Sequence, residues 1–207
     1  MRIRKSVLAL ALAMPLASAF PAFADTPEDA PVTALDSGLI GIMKAGSASQ
    51  SFTQRAATLT PIVQQTFDLS TIIQNSVGLL WPTVPADQQA QLKDLFTKFT
   101  VASYVHEFAS FGGQSFKLLP AEKALGSKKI VETQLVSSDG SATELDYVVS
   151  DNDGGWQITD VLLNGTISQV AIHASDFSGL VTQGDASQLI TALKSKIAAL
   201  STDTVGQ

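Results

Sequence analysis

The chain has 207 residues, 45% of them apolar and 15% charged, with no cysteine, so one hydrophobic core has to hold it without disulfides. Plentiful Leu, Ile, Val and Phe exclude a disordered or collagen-like chain, and the absence of Cys excludes a disulfide-stapled one. Thirteen basic residues against 19 acidic ones give a net charge of −6, which argues against a nucleic-acid binder.

The first segment has three parts. Arg2, Arg4 and Lys5 precede an apolar run from Val7 to Leu16, and Ala22-Phe23-Ala24 stands just before Asp25. This is the plan of a secretory signal peptide with an A-x-A cleavage site; the run is too short for a membrane span and contains Pro15. Residues 1–24 are therefore expected to be removed, leaving residues 25–207 as a single domain. The three signal cations leave with the peptide, and the mature net charge becomes −9. In a Gram-negative cell that places the protein in the periplasm. No Lys/Arg cluster marks an anionic-lipid surface.

Apolar residues then recur at helical spacing. Leu35, Leu39, Ile42 and Met43 form a first helix ending at Gly46, and Phe52, Ala56, Leu59, Val63 and Phe67 mark a second, with Pro61 predicting a kink or a break. Asp68 is placed to cap a short third helix through Ile72, Ile73 and Val77, stopped by Gly78 and Trp81-Pro82. Pro85 opens the longest amphipathic run, Asp87 to Phe111, which Gly112-Gly113 closes.

The period then changes to two. Lys128–Ser137, Thr143–Ser150 and Trp156–Leu163 read as strands separated by Asp139-Gly140, Asn152 to Gly155, and Asn164-Gly165, and Ser115–Leu119 supplies a further strand ahead of Pro120. Alternation places Leu145, Tyr147 and Val149 on one face, and Trp156, Ile158 and Leu162 together on one face of the last strand. Two helices close the chain, the first spanning Ile167 to Val181 and the second carrying Leu189, Leu193, Ile197 and Leu200. The fold class is α+β: N-terminal helices, a central antiparallel sheet of about four strands, then C-terminal helices.

Catalytic motifs are scarce. The chain has no nucleophile elbow, phosphate loop or thiol, and His106-Glu107 lacks a second zinc ligand because position 110 is Ser, so neither metal nor cofactor is expected. Asp146 and Asp160, on adjacent strands, are candidates for a carboxylate pair, but acids near hairpin ends ordinarily face water or cap turns. Gly112-Gly113-Gln114-Ser115 reads as a helix stop, not a phosphate cradle.

Several short motifs nevertheless occur in a telling order: Phe67-Asp68; Val77-Gly78-x-x-Trp81; Gln88-Gln89 opening a helix with Phe96, Phe99 and Tyr104; Gly155-Trp156 with Asp153 ahead of it; Thr159-Asp160-Val161; Asn164 to Ser168; Phe177, Gly184, Leu189-Ile190 and Leu193-x-x-Lys196. From about Ser51 to Lys196 the chain resembles the MlaC-type exported phospholipid-binding family, and Gly165 to Val170 is most similar to its hopanoid-associated HpnM branch. One departure is Ala174, where the family usually places an Arg, so no role of that Arg is carried over.

The resemblance implies a non-enzymatic carrier enclosing an apolar cavity for phospholipid or hopanoid-type lipid tails. It also implies partners: an inner-membrane ABC transporter complex and an outer-membrane lipoprotein complex, with a part in outer-membrane lipid asymmetry. Candidate walls are Leu69, Ile73 and Val77 at i, i+4, i+8, then Phe99, Tyr104 and Phe108 from the long helix, then Tyr147, Val149, Ile158 and Val161 from the strands. At this stage two alternatives stay open. The same residues would equally fill a solid core. An enzyme using Asp146 or Asp160 with Tyr104, or a non-catalytic envelope interaction protein, is also compatible with the sequence.

Overall fold

The first helix, α1 (Ala30–Ser47), carries Pro31 in its first turn, where the missing N–H costs nothing. A computed structural model of the protein describes residues 26–152 and 155–202; the expected signal peptide and the centre of one hairpin turn lie outside them. Helix α2 (Phe52–Thr66) begins with a reciprocal capping box, in which Gln54 N donates to Ser51 Oγ (3.2 Å) and Ser51 N to Gln54 Oε1 (3.0 Å). It continues through Pro61 as one helix, contrary to the break the sequence allows. Pro61 and Ala57 are both exposed, so water can serve the carbonyl that the missing N–H leaves free.

Helix α3 (Leu69–Val77) is capped by Asp68, whose Oδ1 accepts from Thr71 N at 2.9 Å, and ends at Gly78, with φ at 68°. A 3₁₀ turn, Gly78–Thr83, leads to α4 (Ala86–Glu107). Helix α4 stops four residues short of the expected Phe111. The reason is tertiary: the Arg55 guanidinium donates through Nη1 to the carbonyls of Val105, Phe108 and Ala109, and Phe111 N donates to Ser47 Oγ, which draws the chain off the helix axis.

Five strands follow: β1 (Ser115–Leu125), β2 (Lys128–Val136), β3 (Ala142–Asn152), β4 (Gly155–Leu163) and β5 (Ile167–Ser168). They form an antiparallel meander in chain order. β1 runs past Pro120, where the sequence reading ends it. It is an edge strand, and its pairing is irregular between Leu118 and Glu122, where a residue without an N–H is tolerated. Asn164 and Gly165 both take positive φ, 50° and 68°, as a tight β4–β5 turn requires.

The short β5 is a fifth strand made from residues assigned to a helix by periodicity. Ile167 and Ser168 pair with Leu163 and Leu162, so α5 (Gln169–Phe177) starts two residues later than expected and also ends earlier. The closing helix is α6 (Ser187–Thr202).

Register settles which side chains share a face. Between Val149↔Ile158 and Val148↔Asp160 the β3–β4 pairing slips by one residue, at Thr159. Before the slip Ile158 faces with Val149, and beyond it Val161 and Leu163 face with Tyr147 and Leu145. Leu162 thus joins the opposite face, opposite Asp146, and not the face of Ile158. The helices gather on the Leu145–Tyr147–Val149 side. Helices α1, α2, α3 and α5 each touch β4, α2 and α3 lean on α4, and α6 packs behind α4. The core between them includes Leu35, Leu39, Leu59, Val63, Ile73, Phe96, Ile158 and Leu193. No helix among the described residues is long and apolar enough to cross a membrane.

Candidate functional site: an apolar cleft between α4 and the sheet

A cavity of about 240 Å³ lies between α4, the start of α5 and the helix-covered face of the sheet. Its buried floor is Leu39, Phe67, Leu69, Ile72, Phe96, Leu145, Tyr147 and Val161. Toward the opening stand half-buried Phe99 and Tyr104 on α4, Phe108 just past its end, Leu163 on β4, and Val170 and His173 on α5. The rings form a chain: Phe67–Tyr104 at 6.1 Å, Tyr104–Phe108 at 6.0 Å, Phe108–Phe116 at 6.2 Å. At the other end His173 stands edge-on to Phe96 and Phe99 and stacks on Phe177.

Of the walls expected from sequence, Leu69, Phe99, Tyr104, Phe108, Tyr147 and Val161 meet around this cavity. Ile73, Val77, Val149 and Ile158 do not line it. Ile73, Val149 and Ile158 are wholly buried in packed core, and Val77 is half-buried against it. The joint between α2 and α3 explains the strand pair: Phe67 bridges to Ile158, and Asp68 N donates to Ile158 O at 2.9 Å, closing that end of the sheet. On α3 the first-turn residues Leu69 and Ile72 face the cavity, and Ile73 and Val77, further round and along, face neighbouring elements. Neither Trp81 nor Trp156 lines the cavity; Trp81 is buried with Lys93 over its ring, and Trp156 is half-buried under Lys129.

The sequence reading missed most of the polar lining, namely Thr100, Ser103 and Glu107 on α4 and Gln169 and His173 on α5; Asp160 on β4 it names only as a candidate base beside Tyr104. The signal for the first three was present as a polar stripe at i, i+3, i+7 inside the apolar arc. Asp160 is held in place. Its Oδ1 accepts from Val161 N (2.8 Å) and Val170 N (3.1 Å), its Oδ2 from Ser168 Oγ (2.5 Å), and Ser168 Oγ in turn accepts from Ala171 N (3.0 Å). This network fastens the first turn of α5 to β4.

Burial sets the protonation of the groups around the cleft. Asp36, on α1, accepts a hydrogen bond from the Tyr147 hydroxyl at 3.3 Å, yet desolvation outweighs that bond and lifts its carboxyl to about 7. Tyr104 and Tyr147 are raised chiefly by burial and further by Asp36, and Glu107 adds to the rise at Tyr104. Burial raises Glu107 against the opposing pull of His106, and it lowers His173, which keeps that ring neutral.

The two carboxylates considered for catalysis occupy different surroundings. Asp160 borders the cavity as a helix cap. Asp146 points to the outer face of the sheet, where its ligand oxygens and those of Glu132 and Glu144 lie within 4.8 Å of one another and Lys123 pairs with Glu132. There burial and the two neighbouring acids lift Asp146 to about 6. Asp146 takes no part in the cavity lining.

Comparison with known proteins places this architecture. No curated protein is similar enough in sequence to serve as a relative. Among seven solved chains that match is a phospholipid-binding protein from Ralstonia solanacearum, solved in complex with a phospholipid. It is 20% identical, covers 84% of this chain and 98% of its own, and superposes with a TM-score of 0.72. At that identity the likeness is one of fold, and it establishes the α+β arrangement. The profile of the MlaC protein family matches residues 34–195, from the first turns of α1 to the middle of α6. With six α-helices, a five-stranded meander and an apolar cleft among the described residues, the chain belongs to the MlaC protein family.

Proposed function

We propose that the protein is an exported phospholipid carrier whose cleft between α4 and the sheet sheathes lipid tails. The observation that carries this is the cavity itself, with an apolar floor and a ring-lined wall open on one side. The Ralstonia neighbour, which shares the fold and holds a phospholipid, supports it. Two acyl chains of about 30 methylenes left in water would cost on the order of 24 kcal/mol at ~0.8 kcal/mol per CH₂, so an aqueous carrier has to cover nearly all of them. The cavity's 240 Å³ is below the range of about 300–1,000 Å³ that drug-sized ligands fill, so loading two chains requires α4 and α5 to part.

The finer reading goes further. The signal-peptide pattern supports export to the periplasm, and membership of the family supports shuttling between envelope membranes with an ABC transporter complex and an outer-membrane lipoprotein complex as docking partners. A hopanoid-type lipid is the second cargo proposed, on the strength of the Gly165–Val170 likeness.

Native mass spectrometry of protein purified from its host tests the carrier reading: a stoichiometric lipid adduct is expected, and empty protein that takes up no labelled lipid from vesicles overturns it. Tyr104 localises the site. Its hydroxyl makes no hydrogen bond among the described residues, and its ring lies between Phe67 and Phe108. Tyr104→Phe should keep full lipid per folded protein, and Tyr104→Arg, which puts a cation into the tail path, should abolish loading while the chain still melts cooperatively. A folded, fully loaded Tyr104→Arg variant would place the tails elsewhere.

A further inference from the structure

The outer face of the sheet, away from the cleft, carries its own concentration of charge. Glu132 and Asp146 are direct cross-strand partners on β2 and β3, and Glu144 lies two residues before Asp146, so all three side chains leave the same face. One carboxylate oxygen from each lies within 4.8 Å of the other two. Like charges directly opposite one another weaken a strand pair, and this pair is also withdrawn from water, Glu132 being 8% exposed and Asp146 2%. The motif at His106 tests only for zinc; register, not motif, assembles these oxygens.

The surrounding hydrogen bonds do not balance that charge. Lys123 donates to Glu132 Oε1 at 2.6 Å from a side chain that is itself mostly exposed, and a hydrogen bond from the Thr133 backbone reaches the Asp146 carboxylate. Asp146 Oδ1, however, is wholly enclosed and has no hydrogen-bond partner among the described residues. The β4–β5 turn leaves the carboxylates their room: a Cβ on Gly165 would stand 2.7 Å from Glu144 Oε1 and 3.3 Å from Asp146 Oδ2, so a glycine is what lets the turn pass beside them. One ammonium stands against three converging carboxylates, and an enclosed, unpartnered oxygen of one of them is a vacant ligand position.

From this geometry we infer that Glu132, Glu144 and Asp146 form a calcium-binding site on the outer face of the sheet. A set made only of carboxylate oxygens suits a hard cation. Two oxygens on one ion stand no further apart than twice the metal–oxygen bond, which is about 4.8 Å at calcium's ~2.4 Å and about 4.2 Å at magnesium's ~2.1 Å. The 4.8 Å limit on the cluster corresponds to the larger ion. Water completes the shell from the side of Glu144, the most exposed of the three. An ion held there ties β2 to β3 and takes Glu132 from Lys123. None of the three acids lines the cleft, so the inference stands apart from the carrier reading.

The test is isothermal titration of calcium chloride into the mature protein, stripped with EDTA and held in about 0.15 M sodium chloride to screen diffuse attraction. One ion per chain is expected, with a dissociation constant of about 10⁻⁴ M, and magnesium chloride should bind at least roughly tenfold more weakly. Asp146→Asn and Glu144→Gln each keep the shape and remove one charge, and each should weaken calcium about tenfold. Lys123→Met removes the competitor for Glu132 and should tighten it. Asp94→Asn, an exposed acid of α4, should bind as the wild type does. Calcium should raise the melting midpoint of the wild type and leave that of Asp146→Asn where it was. An absence of saturable calcium binding up to about 10 mM, or an affinity that Asp146→Asn and Glu144→Gln leave intact, overturns the site. So does an equal loss in Asp94→Asn, which would show diffuse attraction to an acidic protein. Magnesium bound as tightly as calcium overturns the assignment to calcium.

Discussion

Arg55 is the residue on which the site's geometry most depends without touching the cavity. It is 2% exposed, and its Nη1 is 3.0 Å from Val105 O and 3.4 Å from the carbonyls of Phe108 and Ala109. Val105 O is one of the last-turn carbonyls that an α-helix leaves without a partner, and Phe108 and Ala109 lie just past the helix end. Gly46 completes the joint, because a Cβ there would lie 1.9 Å from Ala109 O, so α1 can approach the end of α4 only with glycine at that position. Arg55→Ala strands the buried Val105 carbonyl and two part-buried ones and should cost roughly 3 kcal/mol in urea unfolding. Arg55→Lys, a single point donor on a different stem, should recover less than half of that. A loss under 1 kcal/mol for Arg55→Ala would show that water replaces the guanidinium and that the end of α4 is held by packing.

Among the elements, α5 is the one whose attachment is polar. It has nine residues and a single buried one, Phe177, and its first turn is tied to β4 through Asp160 and Ser168. By comparison α4 buries Leu92, Leu95, Phe96, Val101, Ala102 and Val105. When the cleft widens to admit lipid, α5 is therefore the wall expected to yield, since local opening follows the fewest buried apolar contacts. Asp160→Ala should lower global stability by about 1–2 kcal/mol, the usual cost of a lost cap. It should also raise amide exchange at residues 169–177 well above that of α4. Equal exchange in the two helices would mean that α5 is held by its packing on α3 instead. Asp68 plays the same part at the α2–α3 joint: besides capping α3 it accepts from Asn152 Nδ2 at 2.9 Å, which gives the Phe67-Asp68 motif a mechanical reason.

For the molecule as a whole, burial of acids determines how stability responds to pH. Asp36 rises from 3.8 to about 7 on folding, with desolvation as the main cause. Between those values the folded protein holds a proton that the unfolded chain has released, so stability falls as pH rises through the window and levels off above about 7. At 1.36 kcal/mol per unit the fall is on the order of 4 kcal/mol. Asp146, lifted to about 6, acts in the same direction over a narrower window. Asp36→Asn keeps the shape and removes the titration, so its denaturation midpoint should change less between pH 4 and pH 8 than that of the wild type, and should lie above the wild type at pH 8. Parallel curves for the two proteins would show that Asp36 is not the group responsible.

What the sequence determined by itself is the set of features that local chemistry governs. Asp68 caps α3 and Gly78 ends it, Pro85 opens α4, and Asn164-Gly165 turns the chain between β4 and β5, because each depends on φ preferences and hydrogen bonds within a few residues. The order of helices, sheet and helices, and six of the ten proposed wall residues, were legible for the same reason: periodicity reports which side chains leave water. Periodicity does not report what they meet. The slip at Thr159 moved Leu162 to the other face, Arg55 shortened α4 from outside it, pairing with Leu163 turned Ile167 from helix into strand, and exposure of Ala57 let α2 run through Pro61. The division between cavity wall and packed core was decided in the same way. Leu69 and Ile73 look alike as apolar residues on one helix, and only the distance between α4 and the sheet leaves empty space beside the first and none beside the second.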